Sequence, residues 1–396
     1  MKLIEREYYI NRIIDVIDTP DIKIITGIRR CGKSKLMDRA IKHIDLLGYE
    51  KNIIRINLNL KKYYELWNSE NLYEYIDGNY EPDKVNYLFI DEVQLCKNFE
   101  LTINSLYEEN RFNIFLTGSN AFLLSSDLAT LFGGRVFDLK LYPFSFKEYL
   151  EYFPNEDVSR AFDEYVVKGG MAGSYLYKNN DDRNQYLRGI VNSTITKDII
   201  TKYKIENESL LNMIIEFLID NIGNRTSIRN IAAVLSSSTY KTNDKTVGSY
   251  LDYLCRSFLF YPVSRYDIRG KKYLESEKKY YLSDIAFRYA VIGTRYHDYG
   301  RIYENIVALE LLRRGYEVYV GQLYQKEIDF VAIKNGEKTY IQVSDDISNE
   351  STFKREVDPL MKIKDAFPKI ILARTKHSES QYEGIRIIDI SDWLSL

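Results

Sequence analysis

Three observations predict an α/β protein whose N-terminal stretch holds a parallel sheet. Residues 1–150 contain five short runs rich in apolar and β-branched residues. Segments of helical periodicity lie between those runs. The runs are continuously apolar rather than alternating, as expected of strands buried on both faces and joined by helical crossovers.

The elements follow in order. Glu5 to Ile17 carries Ile10, Ile13, Ile14 and Ile17 at helical spacing. The predicted strands are IKIITG (22–27), NIIRINLN (52–59), YLFIDE (87–92), NIFLTGS (113–119) and RVFDLKLYP (135–143). From Ser145 to about Thr201 the pattern is helical, broken only by KGGMAG (168–173). Three helices come next: SLLNMIIEFLIDNI, then SIRNIAAVLSS with Ser227 as N-cap, then KTVGSYLDYLCRS. A hairpin pairs FLFYPVSRYD with KKYLESEKKYYLSD across an IRGKK tip, which is the order of a winged helix-turn-helix. The block 300–396 opens with the helix YENIVALELLRRG and continues with strands YEVYVG, EIDFVAIK and KTYIQVS before a helix–strand–helix close. The expected domains are 1–150, a helical lid or linker at 151–205, the winged helix at 206–285, and an α/β domain at 286–396.

Length and composition exclude several classes. At roughly 150 residues per domain, 396 residues make two to three domains. With 45% apolar and 28% charged residues, 20 Gly and 7 Pro, the chain is neither disordered nor collagenous. Lys+Arg 55 against Asp+Glu 57 leaves a net charge of −2, so contact with nucleic acid or an anionic membrane requires a local patch. Cys31, Cys96 and Cys255, with His43, His297 and His377, are too scattered for a zinc site or a disulfide framework. No signal peptide and no membrane-spanning run is apparent, so a cytoplasmic location is expected. The 35 tyrosines run evenly along the chain and read as compositional bias.

The chemistry lies in a few motifs. Gly27-Ile28-Arg29-Arg30-Cys31-Gly32-Lys33-Ser34 fits G-x-x-x-x-G-K-[ST], follows an apolar strand and opens a helix with Leu36, Ala40 and Ile44 on one face. In such a P-loop the backbone N–H groups wrap the phosphates of ATP and the helix N-terminus adds positive potential. Lys33 then neutralises the β/γ-phosphates and Ser34 ligates Mg²⁺. YLFIDE supplies a Walker B strand: Asp91 holds Mg²⁺ through water, and Glu92 polarises the attacking water. Glu92 at a strand end also fits an N-cap. The next strand ends in Thr117-Gly118-Ser119-Asn120, where Ser119, with Asn120 as alternative, is placed to sense γ-phosphate; Ser119 also fits a helix cap. Gly133-Gly134-Arg135 offers Arg135 as an arginine finger, acting in cis or on a neighbouring subunit, with a surface salt bridge as the rival reading.

The GIRRCGKS, FIDEVQ, LTGSN, GGRVFDLKLYPFSFKEYL, KGGMAG and KYYLSDIAFR segments resemble a family of bacterial and archaeal AAA-type ATP-binding proteins with a C-terminal domain of unknown function. The resemblance covers nearly the whole chain. It implies an additional-strand, catalytic-glutamate P-loop NTPase core and an ATPase activity.

The winged helix points to double-stranded DNA, read by the helix from about Lys245 to Arg256 with the wing on the backbone. Lys241, Lys245 and Arg256 lie on the helix side and Arg265, Arg269, Lys271 and Lys272 at the wing, diluted by Asp244 and Asp252. A protein partner is the alternative, and an oligomer is compatible with both. The C-terminal block is similar to the restriction-endonuclease-like fold, which implies a helix Glu, a strand Asp and a Glu-x-Lys holding Mg²⁺ and water. Glu304, Glu327 and Asp329 match, but the last strand reads Gln342-Val343-Ser344, so the site is degenerate unless Lys326 or Lys334 supplies the missing cation. The reading is therefore a Mg²⁺-dependent ATPase that moves a winged helix and a nuclease-like domain. An ATP-gated scaffold is its rival and an ATP-dependent nuclease the third possibility.

Overall fold

Five strands of the N-terminal stretch form one parallel sheet in a computed structural model of the chain, in the order β2-β3-β4-β1-β5. The structure describes residues 4–119, 132, 134–154, 157–238, 242–293, 298–375 and 379–396. Asn120, Gly133, Lys241, His297 and His377 lie outside them. By Cα packing the chain divides into two units. One runs to Leu141 and takes in Arg256–Phe258; the other holds Tyr142–Cys255 and Leu259–Leu396. Among the described residues no helix is long and apolar enough to cross a membrane.

In the first unit the elements are α1 (Glu7–Ile14), β1 (Ile22–Thr26), α2 (Lys33–Asp45), β2 (Lys51–Asn57), α3 (Ser69–Asp77), β3 (Val85–Asp91), α4 (Phe99–Glu108), β4 (Phe112–Gly118) and β5 (Val136–Lys140). All five residues of β1 are buried, which is why the run is apolar without alternation. Ile22, Ile24, Leu88, Ile90, Ile114 and Leu116 face one side and pack with Leu72 and Ile76 of α3 and Ile103 and Leu106 of α4. The period of 2 turns Phe89 and Phe115 to the other side, where their rings stack with centroids 4.6 Å apart. Helix α2 buries Leu36, Met37, Ala40 and Ile44 at helical spacing.

The second unit begins with α5 (Phe146–Tyr152), α6 (Val158–Lys168) and α7 (Asn180–Thr194), followed by α8 (Glu208–Asp220), α9 (Ile228–Ser238) and α10 (Asp244–Arg256), whose last residue already counts with the first unit. The expected hairpin is β6 (Phe260–Asp267) and β7 (Lys272–Leu282). Then come α11 (Ala286–Ile292), α12 (Tyr299–Arg313), β8 (Glu317–Leu323), β9 (Lys326–Lys334), β10 (Glu337–Ser344), α13 (Glu350–Met361), β11 (Lys369–Ala373), β12 (Ser380–Tyr382), β13 (Ile385–Asp389) and α14 (Ile390–Ser395). The hairpin does not stand apart with its three helices. It extends a single eight-stranded sheet, β12-β13-β11-β10-β9-β8-β6-β7, through a short parallel pairing of Arg265–Asp267 with Val320–Gln322. Tyr266 and Ile268 share a core with Ile328, Val331, Tyr340 and Ile371, so burying the hairpin's apolar face joins it to the C-terminal strands.

KGGMAG is a close-approach loop. Gly169 has φ +64°, and an added Cβ would sit 1.9 Å from Asp284 Oδ1. Asp284 Oδ2 accepts the Gly170 N–H at 2.7 Å, and Oδ1 accepts the Ala286 N–H at 2.9 Å.

Candidate functional site

Parallel strands put all their C-terminal ends on one edge, and ligands of open α/β sheets bind outside that edge. Here the edge gathers the ends of β1, β4 and β3. Thr26 of β1 pairs with Gly118 of β4, and Ile90 of β3 pairs with Leu116, so Asp91 lies level with Thr117.

The loop after β1 is shaped by two constraints. Gly27 has φ +147°, and an added Cβ would lie 2.1 Å from the Leu141 carbonyl oxygen. Gly32 has φ +111° and opens α2 directly, so the first-turn N–H groups of that helix lack intrahelical partners. Lys33, only 4% exposed, folds back and donates to the carbonyls of Gly27 at 2.9 Å and Ile28 at 3.1 Å. Ile28 and Cys31 are buried, Arg29 and Ser34 half-buried, and Arg30 exposed. Burial pushes the Cys31 thiol up from its ordinary range. Arg6, at the start of α1, donates to the Cys31 carbonyl at 3.1 Å and lies over the Tyr9 ring at 4.6 Å.

At the end of β3 the carboxylate of Asp91 is 1% exposed. Its Oδ1 accepts from the Thr117 hydroxyl, while Oδ2 is buried without a hydrogen-bond partner and lies 3.7 Å from the Arg55 guanidinium. Arg55 also pairs with Asp38 of α2 at 3.1 Å. Glu92 adopts a left-handed conformation (φ 56°), and its N–H donates to Thr117 Oγ1 at 3.0 Å. Its carboxylate accepts from the Gln94 side-chain amide. Thr117 thus bonds both acidic residues. Ser119 is fully buried, one residue beyond β4. A buried carboxylate oxygen without a hydrogen-bond partner at the sheet edge is a donor suited to a hard cation or its water shell.

Arg135 is elsewhere. It precedes Val136, which pairs with Ile22 at the opposite end of β1 from Gly27. Five residues of strand separate it from the level of Thr26, about 16 Å at ~3.3 Å each. It is ion-paired with Glu108 and lies 4.9 Å over the Tyr107 ring. Strand direction therefore removes Arg135 from a finger role in cis, and the salt bridge is what it makes.

Sequence reasoning missed Thr117, Arg55, Gln94 and Arg6. Thr117 was within the LTGSN motif, and only strand register distinguishes it from Ser119. In the second unit Arg265 is 8% exposed and pairs with Glu277 at 2.8 Å, so it is turned away from any wing surface. Arg269, Lys271 and Lys272 are at the exposed hairpin tip, with Arg269 5.2 Å over the Tyr324 ring. Lys245 is exposed on α10, and Arg256 belongs to the first unit. Glu304 on α12 and Glu327 on β9 meet at one cation, but that cation is Lys279 of β7. Lys326 pairs instead with Asp358 at 3.6 Å, and Lys334 donates to the Arg314 carbonyl at 2.7 Å. The expectation that either lysine compensates for Ser344 is thereby corrected.

Residues 19–150 match a family described as an AAA domain, and residues 159–298 match a domain of unknown function. An uncharacterised protein of Haemophilus influenzae is 36% identical over 99% of this chain and 98% of its own. One from Methanocaldococcus jannaschii is 27% identical over 98% of this chain and 90% of its own. Among solved structures, the Walker-type ATPase of Pyrococcus abyssi aligns over 73% of this chain and 96% of that one, with 15% identity and a TM-score of 0.49.

Proposed function

Because the chain belongs to the family of the Haemophilus influenzae protein and carries an AAA domain, we propose that it is a Mg²⁺-dependent ATPase. The observation that carries the reading is the convergence on one sheet edge of the Gly27–Ser34 loop, the orphaned Asp91 Oδ2 and the Glu92 carboxylate. Loop N–H groups and Lys33 bind the β- and γ-phosphates, with Lys33 exchanging its two carbonyl acceptors for phosphate oxygens. Ser34 and Asp91 are the residues that would hold Mg²⁺, which supplies charge neutralisation at the phosphates. Glu92 orients a water and takes its proton as the water oxygen attacks γ-phosphorus; the bond to the ADP oxygen breaks and the proton passes to the products. Gln94 donates to the Glu92 carboxylate, so action of Glu92 as a base requires that hydrogen bond to give way. Thr117 keeps Asp91 and Glu92 in one arrangement, and Ser119, one residue beyond β4, senses γ-phosphate. An arginine finger, if Arg135 serves as one, acts only on a neighbouring subunit.

A second reading concerns the other unit. We read α8–α10 with β6–β7 as a winged helix fused edge-on to a nuclease-like sheet, and propose that its exposed tip contacts DNA phosphates. The observation favouring it is the cluster of Arg269, Lys271 and Lys272 beside the exposed rings of Tyr273 and Tyr324. ATP turnover with and without DNA tests both readings. Turnover stimulated by DNA supports the coupled ATPase, and unstimulated turnover with a captured protein partner supports the scaffold. Lys271→Glu with Lys272→Glu is expected to weaken DNA binding and lower its salt slope by about 0.9 per lost phosphate contact; equal affinity and slope would remove DNA from the tip.

A further inference from the structure

We infer that Lys279 is the built-in cation of the C-terminal carboxylate cluster, occupying the role of the divalent metal that a nuclease-like fold implies. This rests on the nuclease-like reading of the sheet, and it is a finding about misfit: the residues present do not suit a metal.

Lys279 is 2% exposed, and its Nζ lies 2.7 Å from Glu304 Oε1 and 2.7 Å from Glu327 Oε1. It therefore bridges the two carboxylates, one from a helix and one from a strand, that a metal would otherwise share. The Tyr281 hydroxyl donates to the same Glu304 oxygen at 2.6 Å. On the far side, a Cβ added to Gly223 would come within 3.1 Å of Glu304 Oε2, so the segment after α8 lies close over that carboxylate. Arg225, two residues on, pairs with Glu327 Oε2 at 2.9 Å. Asp329 Oδ2 is occupied by the Val343 N–H at 2.8 Å. Gln342, standing where a charged ligand is expected, accepts the Asp329 N–H at 2.7 Å and donates to Glu356 at 2.8 Å.

Charge bookkeeping agrees with the geometry. Burial pushes the Asp329 carboxyl well above the usual carboxylate range, and the neighbouring carboxylates hold the Lys279 ammonium charged despite its burial. Glu304 is paired with Lys279, and Glu327 with both Lys279 and Arg225, so each carboxylate already has a protein cation. A divalent ion would have to displace a lysine that is itself buried and held by two carboxylates. Among the described residues no group of three or more His, Cys, Asp or Glu is arranged to hold a metal. What the cluster does is fasten β7 and the Gly223–Thr226 segment, which pairs with Lys278 through two 2.9 Å backbone hydrogen bonds, to α12 and β9.

The test is Mn²⁺ binding by the nucleotide-free full chain, followed by electron paramagnetic resonance and by thermal melting. Wild type is expected to show no saturable Mn²⁺ site beyond one removed by Asp91→Asn, and no cleavage of DNA with Mn²⁺. Lys279→Ala is expected to lower the melting temperature and to gain both a Mn²⁺ site and a Mn²⁺-dependent recovery of melting, since it leaves the buried Glu304 carboxylate without a cation. Neutralising the cluster together (Lys279→Met, Glu304→Gln, Glu327→Gln) should restore folding without any Mn²⁺ response. A wild-type Mn²⁺ site that survives Asp91→Asn and disappears in Asp329→Asn would overturn the inference. So would a folded Lys279→Ala that gains no site. Failure of ATP turnover leaves both outcomes readable.

Discussion

Lys33→Ala probes the nucleotide site at its most committed residue. The Lys33 ammonium is not idle: it donates to two loop carbonyls, at 2.9 Å and 3.1 Å. A phosphate charge about 4 Å away, at an effective dielectric of about 20, attracts it by about 4 kcal/mol. Giving up two carbonyl hydrogen bonds costs about 1 kcal/mol each. The net contribution to nucleotide binding is then about 2 kcal/mol, or roughly 30-fold in Kd. At an ATP concentration about 100 times the wild-type Kd, ligand stabilisation of about 2.7 kcal/mol should shrink to about 0.9. The assay is the ATP-induced shift in melting temperature, compared between variants as a shift. Absolute melting temperatures mislead here, because the variant also strips donors from the Gly27 and Ile28 carbonyls. An ATP-induced shift equal to wild type would refute the reasoning and with it the phosphate-binding role of the loop.

The remaining predictions concern chemistry and stability. Glu92→Gln keeps the hydrogen bond to Gln94 in reach but loses the base, so turnover should fall roughly 10²–10⁴-fold while ATP still shifts melting; near-wild-type turnover would make Glu92 structural. Gly169→Ala forces a side chain into a φ of +64° and to 1.9 Å from Asp284 Oδ1. Backbone strain of about 1–3 kcal/mol and a displaced buried acceptor of similar cost should lower the urea midpoint sharply, and an unchanged midpoint would contradict the geometry. Burial lowers the Lys23 ammonium from 10.5 to about 8. The unfolded chain therefore binds that proton more tightly, and stability should rise as pH climbs from about 8 to about 10.5. Lys23→Met should flatten that slope, and identical pH profiles would show that Lys23 titrates normally.

The first unit was legible because its central strands are buried on both faces, and the residues of its proposed site stand in consecutive runs: Gly27 to Ser34, then Asp91 with Glu92. What stayed hidden depends on register, direction or distance in sequence. Thr117 and Ser119 are equally polar in the motif, and only the pairing of Ile90 with Leu116 sets Thr117 level with Asp91. Arg55 and Arg6 reach the site from β2 and from the chain's start, with no local pattern to mark them. Arg135 looked suitable by order alone, but a parallel strand that begins at Val136 puts it at the wrong end of the sheet. The hairpin's fusion to the C-terminal sheet rests on a parallel pairing of three residues, far too short to leave a periodicity. Lys279 was invisible for the same reason, since it sits on that hairpin and not on the strands that carry Glu327 and Gln342.

Two lysines in this chain meet their acceptors in ways that predict opposite behaviour. Lys33 is held by two neutral carbonyls of a loop that opens onto a sheet edge. Trading those acceptors for an anion gains Coulomb energy, so the contact is exchangeable by design of its charges. Lys279, itself buried, is held by two carboxylates, of which Glu304 is buried as well. No anion improves on that arrangement, and a cation entering it must first separate a buried charge pair, which costs several kcal/mol when one partner is left behind. The same residue type thus marks a ligand site in one unit and a closed joint in the other. The deciding quantity is whether the resting acceptor is a dipole or a full charge, and nucleotide-dependent motion is accordingly expected at the β1–α2 loop and not at the β7–α12–β9 joint. Hydrogen exchange with and without ATP separates the two. Protection that changes around Gly27–Ser34 but stays constant at Lys279 and Tyr281 agrees with this contrast, and slowed exchange at β7 on adding ATP would refute it.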